Sequence, residues 1–180
     1  AYSNVGVGIL SLDALTTGSS NTALGYNSGS GNTTGVGNTN LGTDSQRNVS
    51  TYSHNTTVGF RARQNNHGQS NTAVGKDAQY GNTGISEYNT SVGAESLQAI
   101  QTGTSNTALG TNAGQNITTG SGNVIIGNID AASATGDRQL LIAGNDTSTS
   151  TTWISGDSSG TVSANGGELT TTGKSLVFGF

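Results

Sequence analysis

Few side chains in this 180-residue chain could do chemistry, and those few fall in a register. Asp44, Arg61, Asp77 and Glu95 follow one another at 17, 16 and 18 residues, so a fold repeating at that interval stacks them in one column. Such a column sandwiches Arg61 between Asp44 and Asp77, an exposed ion-pair ladder worth about 0–1 kcal/mol. It also brings Asp77 and Glu95 to about 5 Å, the carboxylate separation of a retaining glycosidase. On a convex, solvated ladder nothing raises one carboxyl's pKa or excludes water, so no catalytic residue is assigned and the chain is read as a non-enzyme. His54 and His67 lack the His-x-His spacing of a metal clamp, and Asp137, Asp146 and Asp157 are too scattered for a Ca²⁺ loop. No metal or cofactor is expected. Tyr26, Phe60, Tyr80 and Tyr88 stand in spacer segments where exposed rings could stack on sugars, and they are the candidate glycan contacts beside a plain corner-packing role.

The register comes from a repeat. The box Asn-x-x-(Val/Leu/Ile)-Gly recurs at residues 4–8, 21–25, 38–42, 55–59, 71–75, 89–93, 106–110 and 123–127. Its Asn places include Asn21, Asn38, Asn55, Asn71, Asn89, Asn106 and Asn123, and its Gly places are Gly8, Gly25, Gly42, Gly59, Gly75, Gly93, Gly110 and Gly127. Three residues past the Gly comes a small residue (Ser11, Ser28, Ser45, Ala62, Ala78, Ser96, Ala113), until Asp130 breaks the rule. A five-residue box with alternating side chains reads as a short strand, and the Gly reads as a corner. Thr-Gly pairs such as Thr17-Gly18 and Thr119-Gly120 close the spacers as turns. Each period is expected to run strand, corner, strand-like return, corner. The fold class is therefore all-β, a parallel β-roll or β-solenoid of eight repeats of about 17 residues over 1–136, with a β-rich C-terminal neck or cap over 137–180. Leu169, Leu176, Val177, Phe178 and Phe180 give that cap a more ordinary apolar density.

Composition agrees. Gly (29), Thr (28), Ser (23) and Asn (20) make up 100 residues, only 30% of the chain is hydrophobic, and Pro, Cys and Met are absent. That is too little apolar matter for a conventional enzyme core. A net charge of −4 without Pro does not suit a disordered chain either. Six Lys plus Arg against ten Asp plus Glu give no footprint for nucleic acid, and no apolar run is long enough for membrane insertion.

The alternation places the second and fourth box residues on one face. Taking the aliphatic (Val7, Leu24, Leu41, Val58, Val74, Val92, Leu109, Ile126) as core predicts an interior of one aliphatic and one Thr per coil. The opposite face (Gly6, Ala23, Asn40, Thr57, Ala73, Ser91, Ala108, Ile125) is then outside, small and flat, suited to packing against identical chains. All sixteen charged residues fall outside the boxes and are expected on outward loops. So thin an interior is expected to need an obligate homo-oligomer, a homotrimer among the closed symmetric assemblies.

Asn21-Thr22-Ala23-Leu24-Gly25 followed by a small residue, with Asn- and Thr-Gly-rich spacers, resembles bacteriophage tail fibre repeats and is similar to the head repeats of YadA-like trimeric autotransporter adhesins. The resemblance covers residues 4–136. It implies a trimeric parallel β-roll, although the adhesin heads repeat every 14 residues and are left-handed, whereas the period here is near 17. The segment from Leu140 through Trp153 to Val162 also resembles the stretch after such repeats in phage fibres, where a self-cleaving trimerising chaperone often comes next. The implied function is a structural fibre protein of the virion tail, with other tail proteins and a bacterial surface polysaccharide or protein receptor as partners. The alternative is a trimeric adhesin head on the bacterial cell surface. A third reading, an ice-binding solenoid, is suggested by Thr22, Thr39, Thr56, Thr72, Thr90 and Thr107, but a Thr sharing the aliphatic's inward face argues against it.

Overall fold

The computed structural model describes residues 2–81, 84–146 and 148–164, together with the strand backbone of 167–168, 171–172 and 175–176. Leu169, Val177, Phe178 and Phe180, assigned above to an apolar cap, lie outside the described residues, as does the side chain of Leu176.

Each box forms a three-residue strand: β1 (Val5–Val7), β2 (Thr22–Leu24), β3 (Thr39–Leu41), β4 (Thr56–Val58), β5 (Thr72–Val74), β6 (Thr90–Val92), β7 (Thr107–Leu109) and β8 (Val124–Ile126). They pair in parallel and in sequence order with like residue on like residue, for example Thr22↔Thr39 and Leu24↔Leu41. The chain is thus a parallel β-solenoid, and among the described residues it has no helix. A ninth strand, β9 (Leu140–Asn145), continues the stack in parallel on β8, and β10 (Ser150–Gly156), β11 (Val162–Ala164) and β12 (Gly167–Glu168) then form an antiparallel meander.

The box residues explain themselves once stacked. The N–H of Asn21, Asn38, Asn55, Asn71, Asn89, Asn106 and Asn123 each donates to the side-chain oxygen of the box Asn one coil earlier, at 2.9–3.0 Å. Each side-chain amide donates in turn to a carbonyl in the turn that precedes the next box, such as Gly35 for Asn21 and Gly103 for Asn89. An unbroken ladder of buried amides results, in which the cost of burying a polar group is offset at every rung. Gln139 takes the ninth place, its N–H donating to Asn123 at 2.8 Å. The box Gly has φ between 111° and 137°. A Cβ at Gly8 or Gly42 would come within 2.5 Å of the carbonyl oxygen of the next box Gly. Left-handed backbone and backbone-on-backbone contact both exclude a side chain there.

Two expectations are corrected. The return segment is not strand-like. It is a stack of turns in which the sixth and eighth residues after each of the first seven box Asn residues sit in the left-handed region, as at Asp44 (φ 56°) and Gln46 (φ 47°) or Arg61 (φ 53°) and Arg63 (φ 54°). The turns bond from coil to coil through backbone groups, for instance Gly29 N–H to Ser45 O at 2.9 Å. Second, the strand faces are reversed. Ala23, Asn40, Thr57, Ala73, Ser91, Ala108 and Ile125 are wholly buried, whereas Leu24 is 51% exposed and Leu109 38%. A coil this short also turns the eighth and eleventh residues after the box Asn inward, so the strand adds a small third side chain in most coils, and the larger Ile125 fits where the neighbouring eighth places are Gly114 and Ala131. The aliphatics and the box Thr residues point out.

Candidate functional site

This coil presents three surfaces: the outer face of the sheet, the charged ladder of the turns, and the enclosed lumen.

The outer face carries two parallel columns. One is the aliphatic column from Val7 to Ile126, continued by Ile142 of β9. The other is the Thr column from Thr22 to Thr107, with Val5 before it and Val124 and Leu140 after it. Every member is exposed or half-buried. Strand spacing of about 4.8 Å makes this a stripe on the order of 40 Å long over nine strands. At its C-terminal end Trp153 sits where a β-bulge breaks the β9–β10 register between Thr152 and Ile154. The indole lies against Gly144, where a Cβ would come within 2.5 Å of the ring. It stands over a cavity of about 460 Å³ that Asp146 and Thr151 also line.

The charged column is partly as the spacing predicts. Arg61 grips Asp77 through Nη2 to Oδ2 at 2.9 Å. Its Nε lies 2.7 Å from Oδ1, but that approach is an ion-pair contact without hydrogen-bond alignment. Asp44 instead faces Arg47 at 3.6 Å and accepts from Asn27 at 3.1 Å, so the expected sandwich of Arg61 between two carboxylates is only half made. Lys76 joins Asp77 at 2.5 Å to Glu95 at 3.1 Å. A cation thus holds the two carboxylates that could have formed an acid/base pair. Burial pushes the Asp77 carboxyl up, but the hydrogen bonds from Arg61 and Lys76 outweigh it and hold the carboxyl below the usual range. Asp77 is thereby held as a carboxylate rather than a proton donor.

The aromatics divide. Phe60 and Tyr80 meet on Arg61, with ring centroids 4.9 and 5.1 Å from its guanidinium carbon, a double cation–π contact. Tyr26 is exposed in the same column as Phe60 but two coils away, and Tyr88 is exposed at another corner beside Gln69. The four candidate glycan contacts therefore do not converge. His67 stacks on Tyr52 at 5.6 Å, away from any metal-type cluster among the described residues, and His54 is exposed.

The lumen holds what sequence reading missed. Arg63, assigned with all the charges to outward loops, is wholly buried. Burial lowers its guanidinium to a pKa of about 9, with Tyr52 and Glu87 acting weakly the other way. Its Nη2 donates to Gly68 O at 2.8 Å, while Nε and Nη1 have no hydrogen-bond partner. The signal was present in the sequence: the eighth residue after each box Asn reads Leu12, Gly29, Gln46, Arg63, Gln79, Leu97, Gly114 and Ala131, a column whose outer members are apolar or Gly. No protein-family model, curated protein or solved structure matches this chain.

Proposed function

We propose that the chain is the solenoid subunit of a homotrimeric fibre, a virion tail segment that spaces and presents a surface to a bacterial host. The observation that carries this reading is the outward aliphatic column, from Val7 (55% exposed) through Leu24 to Leu109 and on to Ile142. A continuous apolar stripe of this kind is costly to leave in water and fits a partner with the same period. Three identical rods offer that period, and a three-fold axis along the stripe would bury all three columns against one another. The association face is accordingly the Thr/aliphatic face rather than the small-residue face, which fills the lumen. Interface burial there leaves the turns outward, with Tyr26, Phe60 and Tyr88 free to meet a surface glycan or protein receptor. A cell-surface adhesin head would use the same assembly.

Mass measurement in solution by light scattering tests the reading. The wild-type chain is expected at three times 17.9 kDa, and Leu41→Glu combined with Leu109→Glu is expected to yield smaller species. A folded wild-type monomer would overturn it.

The same face favours a second reading. With Thr and aliphatic columns both outward, the argument that turned the Thr ladder inward no longer holds, and an ice-binding face becomes a direct competitor. The two readings exclude each other because an interface buried between chains cannot meet ice. A monomer with thermal hysteresis at micromolar concentration supports ice binding; a trimer without it supports the fibre.

A further inference from the structure

We infer that the lumen of the middle coils is an anion-binding site, holding one small monovalent anion, of which chloride is the most available, against Arg63. Gln46, Arg63 and Gln79 occupy one column on three successive coils, tied by Gln46 N–H to Ala62 O at 3.0 Å, Arg63 N–H to Ala78 O at 2.9 Å and Gln79 N–H to Ser96 O at 2.9 Å. All three residues are wholly buried, so no solvent reaches the groups they carry. The guanidinium has two nitrogens without partners, Nε and Nη1. Gln46 one coil earlier has both its amide nitrogen and oxygen unpartnered, Asn40 on the same coil has its amide nitrogen unpartnered, and Gln79 one coil later has its amide oxygen unpartnered, so four free donor atoms face two free acceptors.

Such a set is rich in donors and poor in negative charge. No carboxylate forms an ion pair with Arg63 among the described residues. A lone buried cation is among the least tolerable groups in a protein interior, and hydrogen bonds alone do not neutralise it. Water could satisfy the free N–H groups but would leave the charge uncompensated. An anion does both, accepting from the guanidinium and from the amide nitrogen of Gln46. A monatomic one suits a closed lumen, where a polyatomic oxyanion would have to displace the Gln side chains.

The lumen is sealed once the coils close, so the anion enters during folding, and the test uses that route. The full chain is denatured, refolded and crystallised in sodium bromide. An anomalous bromide peak in contact with the Arg63 guanidinium is expected. Density explained by lumenal water only, or no density, overturns the proposal. In parallel, the thermal midpoint of protein refolded in chloride is compared with that of protein refolded at equal ionic strength in gluconate, which is too large for the site. The chloride form is expected to melt higher by several degrees, and Arg63→Met is expected to lose that difference. An equal difference in Arg63→Met refutes the assignment. Should Arg63→Met fail to fold, Arg63→Gln serves in its place, and the bromide peak in wild-type protein decides independently of either variant.

Discussion

The middle coils and the C-terminal coils share one backbone and fill it in opposite ways. From Leu97 onward the lumen is apolar, with Leu97, Ile100, Ala108, Ala113, Ile117, Ile125, Ala131 and Leu141 forming one buried cluster and Ile129 packed on its edge. In the coils just before it the same positions hold Gln46, Arg63, Asn66 and Gln79, all wholly buried. Strand pairing, the Asn ladder and the stacked box Gly residues run unchanged through both regions. The coil is therefore specified by its backbone ladders, and the lumenal side chains only decide how much stability each stretch adds. An apolar filling contributes hydrophobic and dispersion energy; a polar one at best breaks even on its hydrogen bonds.

Deleting lumenal volume should break this contrast most visibly. Ile117→Ala is expected to cost about 2–5 kcal/mol, because a closed coil cannot collapse on the cavity, and chemical denaturation measures it. In halide-free buffer Gln46→Ala should cost far less, since its amide then makes no hydrogen bond that could be lost. If the two cost the same, the division of the lumen is wrong.

The next effect has the opposite sign. In halide-free buffer Arg63→Met is expected to stabilise by about 1–4 kcal/mol, as apolar replacements of buried charges often do. The pH dependence has its origin in the same burial. With the folded guanidinium lowered to a pKa of about 9, well below its ordinary range, the unfolded chain binds more protons above pH 9. Wild-type stability should therefore rise from pH 9 upward, and the Arg63→Met profile should stay flat over that range. Thermal melts across about pH 8 to 10.5 check it.

On the turn surface Asp77→Asn should act mainly at the acid end. The folded carboxyl is depressed, so its contribution is complete above the unfolded value near 3.8 and fades as pH falls through the folded one. Wild type should melt a few degrees above Asp77→Asn at neutral pH, with the difference shrinking as pH falls below the unfolded carboxylate value. The smallest effect is expected from Tyr88→Ala, within about 0.5 kcal/mol of wild type, because its ring is largely exposed. A large loss there would make Tyr88 a corner-packing residue and remove it from the glycan candidates.

How much was legible can be read off single columns. The box Asn and Gly residues announced their own register, since an amide ladder and a backbone-on-backbone contact keep the same residue type at both places through all eight boxes. Leu24 misled, because ranking by hydrophobicity places an aliphatic inside, and here Ala23 fills the place. Gln139 and Ala143 hid the ninth coil, since they replace the Asn and Gly of the box while keeping the ladder. Arg63 was hidden by its charge, which reads as surface unless its column is compared with Leu12 and Leu97.

The sequence by itself determined the period, the strand sites, the corner glycines and the all-β solenoid class, because each depends on contacts between identical positions that recur whatever the coil's cross-section. Only the tertiary structure decided which strand face turns inward, that the return side is left-handed turns, and that a charge lies in the lumen. Period-two alternation distinguishes two faces without ranking them. The ranking comes from how much room the rest of the coil leaves inside, and most coils leave room for Ala, Ser, Thr or Asn, with a larger Ile125 only where Gly114 and Ala131 face it.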